Sequence, residues 1–152
     1  MKKVLFCCTG MDEVLLGSSK VEGIQVQMSF WAITFEQNGW ECYSFTTHEK
    51  EEKIKNINFI RYKDSPLLNK IKLASFNELL FLSRMIKTIN PDVVILRGAS
   101  GTLKELSLFC GRNNSKLIMF GASDSDFIPG KEILTHNIYT LVGCFPPSHG
   151  QT

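Results

Sequence analysis

The sequence predicts an α/β fold, with a mostly parallel sheet of about five strands flanked by helices on both faces. Three observations predict it. Apolar strand-like runs alternate with helix-like segments along the chain. The runs at Val4-Leu5-Phe6, Val93–Leu96 and Leu117–Phe120 are apolar at nearly every position, as strands buried on both faces are. The first of these strands is followed by a long glycine-bearing loop. Sheets of this kind bind ligands outside the carboxyl ends of their strands, so the loops after Phe6, Leu96 and Phe120 are where function is sought.

The first strand is read over Lys3–Cys8, and Thr9–Glu22 is a long connection for a strand-to-helix turn, whose usual length is about 2–6 residues. Gly23 opens a helix in which Ile24, Met28, Trp31 and Phe35 fall on one face. Asn38-Gly39 supplies a left-handed stop, and Trp40–Thr46 reads as the second strand. The charged segment His48–Lys55 reads as a surface loop, and Ile57–Ile60 as a short strand toward an edge. Ser75-Phe76-Asn77-Glu78 matches a capping box for a helix carrying Leu79, Leu82, Met85, Ile86 and Ile89, which must stop before Pro91. Val93–Leu96 is a central strand, and Thr102-Leu103-Lys104-Glu105 is a second capping box, placing Leu106, Phe109 and Cys110 on one face. After the strand Leu117–Phe120, Gly121–Phe127 is a polar loop, and Pro129 or Gly130 opens a last helix bearing Ile133, Leu134, Ile138, Leu141 and Val142. Residues 1–144 read as one domain and 145–152 as an unpatterned tail.

A chain of 152 residues suits a single domain, and 43% hydrophobic with 21% charged residues is the composition of a soluble globule. A formal charge of +2 gives no argument for nucleic acid as a partner. The local excess lies between Lys50 and Lys72, where seven cations meet three carboxylates for a net +4. It reads as a solvated face, with peripheral contact to an anionic membrane surface or a phosphorylated ligand as the alternative. Five cysteines, an odd number with no C-x-x-C spacing, argue for reduced thiols in a cytoplasmic protein and against zinc or thioredoxin-type redox sites. Val4–Cys8 is too short for a signal-peptide core, and no run reaches the roughly 18 apolar residues of a membrane helix.

Several motifs are missing. Cys8-Thr9-Gly10-Met11-Asp12 is not the G-x-G-x-x-G of dinucleotide sites, and there is neither a P-loop nor a G-x-S-x-G elbow. Asp12-Glu13 after the first strand suggests a receiver domain, but Gly121–Phe127 lacks the lysine such a domain requires. His48, His136 and His149 are too scattered to propose a metal site, and no cofactor is expected.

The glycine-opened helix at Gly23-Ile24-Gln25-Val26-Gln27, followed by Asn38-Gly39-Trp40-Glu41-Cys42, resembles the opening of family 4 glycosyltransferases. Asn90-Pro91-Asp92-Val93-Val94 resembles the "K-P-D-V-V" entry to that family's fourth strand. Lys116–Phe120 with Ala122–Phe127 resembles its next strand and acceptor-side loop. The similarity covers roughly residues 1–140. It departs at Glu22-Gly23, where the family commonly has two glycines, and at Ser123–Asp126, where many members place a histidine. The resemblance implies the amino-terminal, Rossmann-like half of a GT-B enzyme, the half that receives the acceptor. The nucleotide-sugar would be a co-substrate held by a separate donor-binding domain, without which this chain is expected to be inactive.

On that resemblance, Gly10, Gly23, Ile24, Arg97, Ser100 and Ser123 are candidate contacts to a saccharide or lipid-linked acceptor, and Asp124 and Asp126 are candidate catalytic groups. Each has a plainer alternative. Gly23 is also a permissive helix start, Arg97 a structural ion-pair partner, Ser100 a loop or cap residue, and the two aspartates caps for the helix after Pro129. Trp31 and Trp40 read as core residues rather than sugar-stacking platforms. The competing functional readings are a non-catalytic binding or partner module, the remnant of a truncated glycosyltransferase, and a flavodoxin-like or receiver-like signalling domain.

Overall fold

A computed structural model describes residues 1–18, 22–49, 51–62, 74–97 and 103–121. In chain order the elements are β1 (Lys3–Thr9), α1 (Met11–Leu15), α2 (Gly23–Gln37), β2 (Glu41–Thr46), β3 (Glu52–Ile54), β4 (Ile57–Arg61), α3 (Ala74–Ile89), β5 (Val93–Arg97), α4 (Leu103–Arg112) and β6 (Lys116–Phe120). The strands form a six-stranded sheet in the order β3-β4-β2-β1-β5-β6. Every pairing is parallel except that of β3 with β4. The fold is the α/β, Rossmann-like arrangement expected from the alternation of apolar strands and helices.

Successive side chains of a strand point to opposite faces, and here both faces are covered. On one face, Leu5, Val94, Leu96, Leu117 and Met119 pack with Leu82, Ile86 and Ile89 of α3 and Leu103, Leu106 and Cys110 of α4. On the other, Val4, Phe6, Cys42, Ile57, Phe59, Val93 and Ile95 pack with Met11 of α1 and Met28 and Ala32 of α2. Trp31 and Trp40 pack against this second core. Trp31 lies 4.3 Å from Phe120 by ring centroids, and Trp40 lies 5.1 Å from Phe35.

Three local expectations are corrected. The segment read as a charged surface loop contains β3, joined to β4 by Lys55 and Asn56, both with positive φ (48 and 63). Two left-handed residues between antiparallel strands form the tight hairpin turn whose twist matches that of its strands. Charged Glu52 and Lys53 hide this strand in the sequence, and Ile57–Ile60, expected toward an edge, is the second strand from it. The connection after β1 is partly helical, since α1 occupies Met11–Leu15 and ends near Gly17 (φ 85). Helix α3 already includes Ala74, so Ser75 lies within the helix rather than before it. The helix ends expected at Asn38-Gly39 and before Pro91 are present, with left-handed Gly39 (φ 79) and Asn90 (φ 51). Thr102, Ser123–Asp126, the helix expected after Pro129 and the tail at 145–152 lie outside the described residues.

Candidate functional site

Parallel pairing sets the carboxyl ends of β1, β2, β4, β5 and β6 along one rim. The register places Thr9 beside Phe45, Thr46 beside Arg61, and Arg97 beside Phe120. Three groups of residues lie on this rim.

The first is the turn after β1. Gly10 is the residue before α1 and is left-handed, with φ 82. The backbone angle calls for glycine, and a Cβ there would stand 2.7 Å from Gln25 Nε2, so the end of that side chain would have to move aside. Gln25 belongs to the first turn of α2. Its Oε1 accepts the Glu22 N–H at 2.7 Å, and Glu22 and Gln25 form a reciprocal capping box. Gly10, Gly23 and Ile24 are thereby brought together around Gln25. A Cβ at Gly23 would meet nothing within 4 Å, so packing does not require a glycine there. Ile24 is partly buried against the core under α2.

Beside this turn lies a polar cluster that the sequence reading did not anticipate. Asp12 is 1% exposed, and its Oδ2 accepts a hydrogen bond from the Thr46 hydroxyl. Thr46 Oγ1 in turn accepts the His48 N–H at 3.0 Å, and His48 Nε2 lies 3.5 Å from Asp12 Oδ2. Asp12 Oδ1 is buried with no hydrogen-bond partner among the described residues. A buried carboxylate against a half-exposed imidazole is an arrangement that can hold a ring nitrogen in place and hand a proton to the rim.

The second group surrounds a cavity of about 260 Å³ on the α3 side of the sheet. Cys7, Cys8 and Thr9 of β1, Phe45 of β2, Tyr62 just after β4, and Glu78, Phe81 and Leu82 of α3 line it. Phe45, Phe81 and Tyr62 make a chain of edge-on ring contacts, 5.0 and 4.7 Å between centroids. Burial pushes the Cys7 thiol well above the usual range, and the Cys8 thiol to about 11 with help from Asp12 and Glu22. Both sulfurs stay protonated at neutral pH and are poor nucleophiles. Burial likewise raises the Glu78 carboxyl. Ionisation is harder in the fold than in the unfolded chain. Glu78 therefore supports the fold fully below about pH 4.5, the ordinary glutamate value, and withdraws that support as the pH rises through its own higher value. Glu78→Gln should flatten this slope. In thermal melts from about pH 4 to 8 the variant should gain on the native chain as the pH rises. A constant offset between the two would show that Glu78 is not strained by burial.

The third comprises Arg97 and, separately, Glu105. Arg97 ends β5, and its Nε is buried without a hydrogen-bond partner among the described residues. Glu105, in the first turn of α4, has a buried Oε2 in the same state. Ser100, Ser123, Asp124 and Asp126 lie outside the described residues. Among the described residues no group of three or more His, Cys, Asp or Glu side chains could hold a metal ion. No described helix is long and apolar enough to cross a membrane.

Neither a family model nor a curated protein matches the chain. Among solved structures, the fold is similar to a crystal structure of UDP-N-acetylglucosamine 2-epimerase, with a TM-score of 0.53 and 15% sequence identity. The match covers 87% of this chain and 37% of that one, so the chain spans little more than a third of its structural neighbour. At this identity the likeness supports the α/β, Rossmann-like fold alone, and the narrower resemblance to family 4 glycosyltransferases is carried no further by it.

Proposed function

We propose that the chain is the amino-terminal, acceptor-binding domain of a nucleotide-sugar-dependent glycosyltransferase, completed by a separate donor-binding domain. The observation that carries this reading is the cavity at the carboxyl rim of a parallel sheet, which is where α/β folds bind ligands. Support for a donor site elsewhere comes from the same rim. Among the described residues the cavity lining contains no Lys or Arg to neutralise a diphosphate, and the first turn of α2 is engaged by Glu22 and Gln25 rather than open to an anion. In this reading the domain aims the acceptor hydroxyl, a contribution worth several orders of magnitude in rate when geometry is well held. His48, backed by Asp12, is the group proposed to receive the acceptor's proton. Asp124 and Asp126 are the alternative proton acceptors, and Ser100, Ser123 and Arg97 the proposed hydroxyl or anion contacts.

The purified chain, given UDP-glucose, UDP-N-acetylglucosamine or GDP-mannose with a panel of saccharides, should transfer no sugar. Transfer should appear when a donor-binding domain encoded beside it is added, with association measurable by calorimetry. Steady transfer by the 152-residue chain alone, or failure of every such domain to associate, would overturn the proposal.

A further inference from the structure

The cavity beneath the rim also constrains what the acceptor can be. Its volume, about 260 Å³, exceeds the roughly 150 Å³ that holds one benzene ring. It falls short of the roughly 300–1,000 Å³ typical of pockets for larger ligands. One six-membered ring with its substituents fits, and a nucleoside diphosphate does not. The lining has two kinds of surface. Phe45, Tyr62, Phe81 and Leu82 offer apolar area, and aromatic faces carry partial negative charge that attracts the C–H hydrogens of a saturated ring. Thr9 and Glu78 offer hydroxyl and carboxyl groups able to pair with ring hydroxyls. Among the described residues that line it, the ionisable groups are Glu78, the two thiols and the Tyr62 phenol, which are neutral or negative, and none is a cation. Asp12 and Glu22, which act on the Cys8 thiol, are again acidic.

We infer that this pocket binds a single uncharged sugar ring and discriminates against phosphorylated ones, through apolar contact with Phe45, Tyr62 and Phe81 and hydroxyl pairing with Thr9 and Glu78. The inference rests on the acceptor-domain reading only for the biological role of that sugar. The pocket itself is tested without any transfer reaction. Once the pH is above the raised titration range of Glu78, a phosphate placed near its carboxylate meets like charge, and one such repulsion across about 4 Å in water is worth about fivefold in affinity.

The test is a titration of the ¹⁵N-labelled 152-residue chain, followed by its amide resonances, with methyl β-D-glucopyranoside and separately with glucose 1-phosphate. The neutral sugar should shift the amides of Cys8, Thr9, Phe45, Tyr62 and Phe81, and glucose 1-phosphate should bind there about fivefold or more weakly. Glu78→Gln should bring the two ligands to within about twofold of one another, while the fold is checked by the unchanged dispersion of remote amides. Phe81→Ala should abolish the shifts from both. Equal or tighter binding of the phosphorylated sugar at these amides overturns the inference, as does the absence of shifts from either ligand. A positive titration with no transfer in the assembled enzyme would leave the pocket as a sugar site and sink only the glycosyltransferase reading. The reverse result would sink only the pocket.

Discussion

Phe6→Ala should destabilise the chain by about 3–5 kcal/mol, read from the urea midpoint at unchanged slope. Phe6 is 0% exposed on β1, the strand held between β2 and β5. Its ring meets Phe35 of α2 edge-on at 5.8 Å. Truncation removes the contact between the central strand and the helix that seats the Gly10–Gln25 turn, and leaves a cavity that neighbouring strands cannot easily close. A domain of this size has only about 5–15 kcal/mol to lose, so the variant should be near its folding limit. Phe30→Ala provides the control. Phe30 lies on the same helix but is 65% exposed, and its loss should change stability by less than about 0.5 kcal/mol. Equal effects at the two positions would mean that α2 does not pack as described.

Asp12→Ala should cost about 1–3 kcal/mol, because it strands the buried Thr46 hydroxyl without an acceptor. The same reasoning fixes the outcome of a double-mutant cycle. Thr46→Val removes the donor that Asp12 satisfies, so the double variant should cost distinctly less than the sum of the single ones. Additive costs would show that the carboxylate is held by something other than Thr46. Asp12→Ala also frees the imidazole of His48 from its 3.5 Å neighbour, so that if His48 moves a proton in the assembled enzyme, kcat should fall while the acceptor KM holds.

The fold was legible because its signal is repeated. Val93–Leu96 and Leu117–Phe120 are apolar at every position, and Asn38-Gly39 and Asn90-Pro91 punctuate the helices with residues chosen for backbone geometry. β3 was not legible, since Glu52 and Lys53 have poor strand propensity and the strand exists through pairing with β4 and the left-handed turn at Lys55-Asn56. The site was half legible. Strand alternation pointed to the rim, and the family resemblance to Gly10, Gly23 and Arg97, but neither showed which side chains converge there. Asp12 was weighed only as a receiver acid and His48 only as a metal ligand, because 36 positions separate them and their contact depends on the register of β1 with β2. Glu78 and Phe81 read as capping and core residues, and only packing against Phe45 and Tyr62 turns them into a wall. The weak signal available was polarity at strand ends, in Thr46-Thr47-His48 after an apolar run.

The short hairpin at one flank of the sheet has a bearing on handling as well as on shape. Three residues long and carrying both signs of charge, its outer side gives an incoming strand few backbone groups to pair with and a desolvation cost to meet. Concentrated solutions should accordingly resist fibril growth from that flank, and swapping Glu52 and Lys53 for valine is the change that would invite it.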